Sequence, residues 1–181
     1  MERKCNTTPK PTILTNDPSF TGWGWSVLQN HIVLDSGCIK TVKETKKRRI
    51  REGDDKVRRV SEIVTVLVNV IKKYDIQFIV SELPHGSQNA AGAIMIGMVM
   101  GIFQTISHTM NIPVEWFSEA DAKKALLGRI SASKTEVIEA VEETFEIDIN
   151  GPKYIREAVA DSLAIYNVAQ KQSTTLKILT R

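Results

Sequence analysis

Three short apolar runs crowd into residues 12–39, and the links between them leave room only for tight reversals. The runs are TILTND (12–17), WGWSVLQ (23–29) and HIVLDSGCI (31–39), punctuated by Gly22, Gly24, Gln29–Asn30 and Gly37. Parallel neighbours need a crossover of a dozen or more residues, so strands this close in the chain must run antiparallel. The first run ends on an acid, Asp17, with Pro18 directly behind it. Asp-Pro favours turn initiation. A carboxylate at the mouth of a core strand can also hold a metal, and the rest of the chain must decide between the two.

Beyond residue 59 the period changes. Val60, Ile63, Val64, Leu67, Val70, Ile71 and Tyr74 recur at steps of three and four, the mark of an amphipathic helix. IQFIVS (76–81) and PVEWF (113–117) read as two more strands, the first abutting a second isolated acid, Glu82. No Asp, Glu, Lys or Arg occurs between Leu83 and Val114, and residues 90–103 are continuously apolar or small. That run is shorter than the roughly 20 residues a membrane span needs. It is read as a core helix, with Gly97 and Gly101 allowing close approach to the sheet or to a second copy of the chain. No membrane partner is expected. Ser118 with Asp121, and Ser133 with Glu136, have the spacing of N-caps with an acid at N3, and Gly128 separates the two helices they open. A final helix runs from about Pro152 to Gln170, with the proline in its first turn. Residues 173–181 carry no clear signal.

Alternating strands and helices in the second half imply right-handed crossovers and a parallel portion. The expected fold is α/β: a mixed five-stranded sheet, three strands antiparallel and two parallel, with helices on both faces. At 181 residues the chain is long enough for one sizeable core. The domain is placed at 12–170, with a disordered lead-in at 1–11 and a C-terminal tail at 171–181. MERKCNTTPKP lacks the apolar segment of a secretory signal. Cys5 and Cys38 are the only cysteines; without metal-ligand spacing they argue against a disulfide framework or a zinc site and suit a reducing cytoplasm.

Net charge is only +3, but it is unevenly spread. Lys40 to Arg59 carries ten Lys/Arg against four Asp/Glu, so the remainder is net negative by three. A basic block on a mildly acidic body is a common footprint of polyanion binding, and equally of a solvated loop.

Asp161 is the third acid with apolar surroundings, in REAVADSLAIYNVA, and Glu157 lies one turn before it on the same face. Each acid alone reads as a cap, a turn or a surface residue. Together, two adjacent strand ends and one helix face would gather three or four carboxylates that cannot all stay ionised without cations. Oxygen-only ligands suit Mg²⁺ or Mn²⁺ over zinc. Two such ions roughly 3.5–4 Å apart can drive an in-line phosphoryl displacement. With a basic loop nearby, that is nuclease chemistry.

These residues resemble the RuvC family of Holliday-junction resolvases, within the RNase H/retroviral-integrase superfamily. DPSFTGWG (17–24) resembles the family's Asp-Pro-Gly…Thr-Gly-Tyr-Gly opening, and DSGCIKT (35–41) its Gly-Ser-Gly-x-Ile-x-Thr strand. SELPHGSQNAAGAIMIGMVMG (81–101) has the spacing from catalytic Glu to Asn, and ADSLAI (160–165) resembles Ala-Asp-Ala-Leu-Ala-Ile. The resemblance spans about residues 12–170. It implies an RNase H-like fold and a homodimer that binds four-way DNA junctions and makes paired symmetric nicks with Mg²⁺, two per site, Mn²⁺ substituting. By position it makes Asp17, Glu82 and Asp161 metal-binding acids. It puts Lys134, near a helix N-terminus, beside the scissile phosphate.

Three departures stand out. Where the family has a second acid or a His three residues before the last Asp, this chain has Ala158, and Glu157 is read as the replacement. Where a member of the family carries an aromatic at the junction centre, this chain has His85, which could stack on a base or cap the following helix. The opening loop lacks two residues and has Ser19 for Gly, divergence that would suit a phage-type or otherwise broad-specificity relative. Lys46, Lys47, Arg48, Arg49 and Arg51 are the phosphate-contact candidates, with His85, Asn89 and Lys134 as further DNA contacts. The competing readings are a branch or flap nuclease of wider taste and a non-catalytic junction-binding protein. A sugar-kinase-like arrangement would need two such domains, and this chain is too short.

Overall fold

The computed structural model describes residues 10–44 and 50–180. Five strands, β1 (Thr12–Asp17), β2 (Gly22–Gln29), β3 (Ile32–Lys40), β4 (Phe78–Glu82) and β5 (Val114–Phe117), form one sheet in the order β3-β2-β1-β4-β5. β1–β2 and β2–β3 are antiparallel; β1–β4 and β4–β5 are parallel. The mixed sheet expected from the sequence is therefore the one observed.

The interior strands bury both faces, which is why they read as unbroken apolar runs. Side chains alternate between faces, with Ile13, Phe78 and Val80 on one side and Leu14 and Ile79 on the other. The second side is covered by α1 (Glu52–Tyr74) and α2 (Ala90–Met110), which contribute Ile63, Leu67, Ile102 and Phe103. The first side is covered by α3 (Glu119–Leu127), α4 (Lys134–Phe145), α5 (Lys153–Gln172) and α6 (Thr174–Leu179), with α5 lying across β1 and β2.

Several boundaries move for physical reasons. The β2–β3 hairpin turns on Asn30 and His31, both left-handed (φ 51° and 68°), so β3 starts at Ile32. His31 holds that conformation while its N–H donates to Tyr166 Oη at 3.3 Å. α1 begins well before its apolar period, at Glu52, because Glu52, Asp54 and Asp55 suit the positive end of the helix dipole. Pro152 is the N-cap of α5, one position before its first turn. α2 is longer than the apolar run and is a core helix on one side only. Val99, Ile102, Phe103 and Ile106 are buried, whereas Ala90, Ala93, Ile94, Gly97 and Gly101 are exposed. By length and composition α2 could cross a membrane, although its buried side packs on the sheet. Residues 174–179, which carry no sequence signal, form α6: Ser173 Oγ accepts the Leu176 N–H at 2.9 Å, and Leu176 is buried against α5.

Candidate active site

The sheet itself brings two of the acids together. Parallel β1 and β4 pair Asn16 with Ser81, so Asp17 and Glu82 are the next residues along two neighbouring strands and leave the sheet at the same edge. By the two-residue alternation both fall on the side of Ile13, Phe78 and Val80, the side that α5 covers. Asn16 steadies this edge from the opposite face, accepting a hydrogen bond from Trp23 Nε1–H at 3.0 Å.

α5 brings the third. Gly24 is the cross-strand partner of Asp17, and a Cβ on it would stand 2.0 Å from the carbonyl oxygen of Ala158. Only glycine allows that approach. One turn on, Ser26 Oγ and Ser162 Oγ share a hydrogen bond of 2.7 Å. These small-on-small steps press α5 onto β2 and present Asp161 to Asp17. Ala158, where the resembled family has its acid, is thus buried against the Gly24 backbone.

Asp17 and Asp161 line one open cleft of about 380 Å³ with Lys134, Glu157, Lys40 and Tyr154. Burial, then the charges of Glu82 and Asp161, hold the Asp17 carboxyl well above the usual carboxylate range. Burial, then Asp161 and Glu119, push Glu82 up to about 7. Asp161, buried at 8% exposure, is raised by burial and partly restored by Lys134, whose Nζ donates to Asp161 Oδ2 at 2.5 Å. In Lys134 burial opposes the charge, but Asp161 and then Asp17 and Glu119 outweigh it and raise its pKa. Lys134 is carried at the first position of α4 by a capping box in which Ser133 N–H donates to Glu136 Oε2 at 2.8 Å, as the Ser-x-x-Glu spacing predicted.

Glu157 reaches the same cleft but pairs with Lys153 at 3.7 Å. Glu119, which sequence reasoning missed as a site residue, is coupled by charge to all three acids. It opens α3 just beyond β5, whose Phe117 pairs with Glu82. The Ser118 cap marked the helix start; that this start lies beside Glu82 depends on a strand pairing no local pattern reveals. Glu119 contacts Lys123 at 2.7 Å, His85 at 3.1 Å and Lys134 at 3.9 Å. Ligand atoms of Glu82, His85 and Glu119 lie within 4.8 Å of one another, so these three could hold a metal ion.

His85 is exposed and bonded to Glu119, not capping α2; that cap is Asn89, whose Oδ1 accepts the Gly92 N–H at 2.8 Å. Arg51 is exposed at the N-cap position of α1. Lys46, Lys47, Arg48 and Arg49 lie outside the described residues.

The family model described as Crossover junction endodeoxyribonuclease RuvC matches residues 13–168. Curated proteins of that description from Shewanella woodyi and Ehrlichia canis are 27% and 28% identical over 157 and 151 residues. The alignments cover 84% and 81% of this chain and 83% and 90% of theirs. Among solved structures, Thermus thermophilus RuvC in complex with a Holliday junction substrate superposes with a TM-score of 0.69 at 21% identity, covering 88% of this chain and 93% of that one. The yeast mitochondrial Holliday junction resolvase Ydc2 gives 0.61 at 11% identity, covering 97% and 84%. At these identities the structural matches speak for the fold.

Proposed function

This chain belongs to the RuvC family of crossover junction endodeoxyribonucleases, and from that premise we propose that it resolves four-way DNA junctions by divalent-cation-dependent hydrolysis of phosphodiesters. The observation that carries the reading is the convergence of three acids whose charges act on one another. Three carboxylates on β1, β4 and α5 are half-buried or buried, and their proton affinities all rise. A solvated surface group has no reason to be so strained; a site built to take cations does.

Asp17, Glu82 and Asp161 would hold the metal, and an all-carboxylate set suits Mg²⁺, with Mn²⁺ as substitute. A pair of such ions, when bound, supplies Lewis-acid stabilisation and a more acidic water. Glu157, in the same cleft, is assigned as the fourth acid in place of the residue that Ala158 lacks. Glu119 is assigned to hold His85 and Lys134. Lys134 has two tasks in sequence: it neutralises Asp161 while the site is free, then turns its ammonium to the scissile phosphate. His85, Asn89 and Arg51 are exposed and are assigned DNA contacts, as are Lys46, Lys47, Arg48 and Arg49.

Paired nicks need two such sites, and the exposed side of α2 is the proposed meeting surface of a homodimer. Ile94, Gly97 and Gly101 lie there, and exposed Val57 of α1 lines a groove with Gly101. An apolar patch of this kind marks an interaction surface.

The test is incubation of a synthetic four-way junction with the protein and Mg²⁺, beside three-way and linear DNA. Symmetric nicks in the four-way form, lost in Asp17→Asn while junction binding persists, are expected. Equal cutting of linear duplex would remove structure selectivity, and an Asp17→Asn protein with unchanged cleavage would remove the assigned site. Glu157→Gln is expected to weaken cleavage more than Glu119→Gln; the reverse order moves the fourth acid to Glu119.

A further inference from the structure

Arg59 stands outside the acid cluster, on the face of α1 that meets the loop between β1 and β2. It is only 5% exposed, and the hydrogen bonds it makes go to neutral oxygens. Its Nε–H donates to Thr41 Oγ1 at 2.7 Å, and its Nη2 donates to the Phe20 carbonyl at 2.9 Å and to Thr21 Oγ1 at 3.0 Å. The guanidinium also sits 4.3 Å from the centroid of the Phe20 ring. Thr41 closes the knot, its N–H donating to the Thr21 carbonyl at 3.0 Å and its hydroxyl to the Phe20 carbonyl at 2.5 Å. Asp55, one turn earlier on α1, favours the Arg59 charge from a distance, but its hydrogen bonds go to Arg58 at 2.7 Å and to the Glu44 N–H at 3.3 Å.

Burying a guanidinium on neutral acceptors is unfavourable, and an apolar side chain of like volume commonly packs a loop at less cost. What the charge and its directional donors gain is geometry. Phe20 and Thr21 follow Asp17 by three and four residues, in a loop whose own side-chain bonds are long: Ser19 Oγ accepts from Thr21 and Gly22 N–H at 3.4 Å. Thr41 follows Lys40, where the basic segment begins. α1 holds that segment twice more, through Arg58 Nη2 on the Val42 carbonyl at 2.7 Å and Asp55 on Glu44. One helix end therefore grips both the loop that leaves Asp17 and residues 41–44, which follow Lys40 out of β3.

We propose that Arg59 is a positioning residue for strand cleavage: by locking Phe20, Thr21 and Thr41 to α1 it fixes Asp17 relative to Lys40, which lines the same cleft. This rests on reading the acid cluster as a cation-dependent nuclease site. Ligand and phosphate geometry tolerate little drift, and a misplacement of about 1 Å from a remote change can slow chemistry by about a hundredfold.

The experiment compares wild type, Arg59→Met and Arg59→Lys in three readouts: calorimetric titration with Mn²⁺ alone, binding of a four-way junction without divalent ions, and single-turnover nicking in Mg²⁺. Arg59→Met is expected to lose about tenfold in Mn²⁺ affinity and about ten- to a hundredfold in nicking rate, with junction affinity within about threefold. Arg59→Lys is expected to recover part of both losses. Should Arg59→Met fail to fold, Thr21→Val removes a single acceptor and is expected to give the same pattern at about three- to tenfold. Unchanged Mn²⁺ affinity and rate in a folded variant would overturn the proposal, as would a rate loss matched by an equal loss of junction binding. A wild-type protein that neither takes up Mn²⁺ nor nicks would instead remove the nuclease reading on which the proposal stands.

Discussion

Glu82 illustrates how the proposed site would set folding against function. Its folded-state pKa of about 7 lies above the ordinary 4.5, because burial and the nearby acids Asp161 and Glu119 disfavour its charge. The folded state then holds the proton more tightly than the unfolded chain. The contribution is fully present below pH 4.5 and is lost as pH rises through about 7. The shift amounts to about 3 kcal/mol at most, and Asp17 and Asp161 move in the same direction. The melting temperature of the metal-free protein should therefore fall between about pH 5 and pH 8, and Mg²⁺ or Mn²⁺ should raise it more at the upper end. Thermal-shift measurement across that range checks both; a flat profile, or equal stabilisation by Mg²⁺ throughout, would contradict the coupling. Asp17→Asn removes one of the opposed charges. It should stabilise the metal-free protein at pH 8 by about 1 kcal/mol while lowering nicking on the order of a thousandfold.

Among the elements, α5 carries the heaviest constraint. The contact of Gly24 with the Ala158 carbonyl leaves no room for a methyl group, and neither partner is a side chain that can swing away. Gly24→Ala should cost about 3 kcal/mol or more in chemical unfolding, or else displace α5 and with it Asp161, so that nicking fails in protein that still folds. On α2, Ile94→Glu puts a charge in the exposed apolar face. It should shift the protein toward monomer in sedimentation analysis without unfolding it, and persistence of a dimer would send the interface elsewhere. The sequence made some of this legible and hid the rest. Asp17 and Glu82 could be singled out because local grammar marks them as acids ending apolar strands, whereas Lys134 came from the family resemblance and the Ser-x-x-Glu spacing marked only its helix cap. Glu119 could not, since its neighbour Glu82 is set by the β4–β5 pairing across 37 residues of chain. α6 was hidden for a similar reason. Ser-Thr-Thr reads as coil, and the helix is held by Leu176 in the core and by Glu115 on β5, which accepts the Thr175 N–H at 3.1 Å.

Taken whole, the features assigned above to metal, DNA and dimer contacts lie on different faces of the molecule. The acids collect at one edge of the sheet, the basic segment leaves β3 near that edge, and the exposed apolar side of α2 lies on the opposite layer from α5. Substituting Lys46, Lys47, Arg48, Arg49 and Arg51 by Gln should weaken junction binding and flatten its salt dependence by about 0.9 for each phosphate no longer neutralised, leaving the preference for four-way over linear DNA intact. An unchanged salt slope would make that segment a solvated loop. The decisive measurement is anomalous diffraction from a wild-type crystal soaked in Mn²⁺. Manganese is expected between the carboxylates of Asp17, Glu82 and Asp161, with Lys134 released from Asp161, and none at that position in Asp17→Asn. Manganese held only by Glu82, His85 and Glu119, or none anywhere near Asp17 and Asp161, would contradict a shared cation site at the three acids.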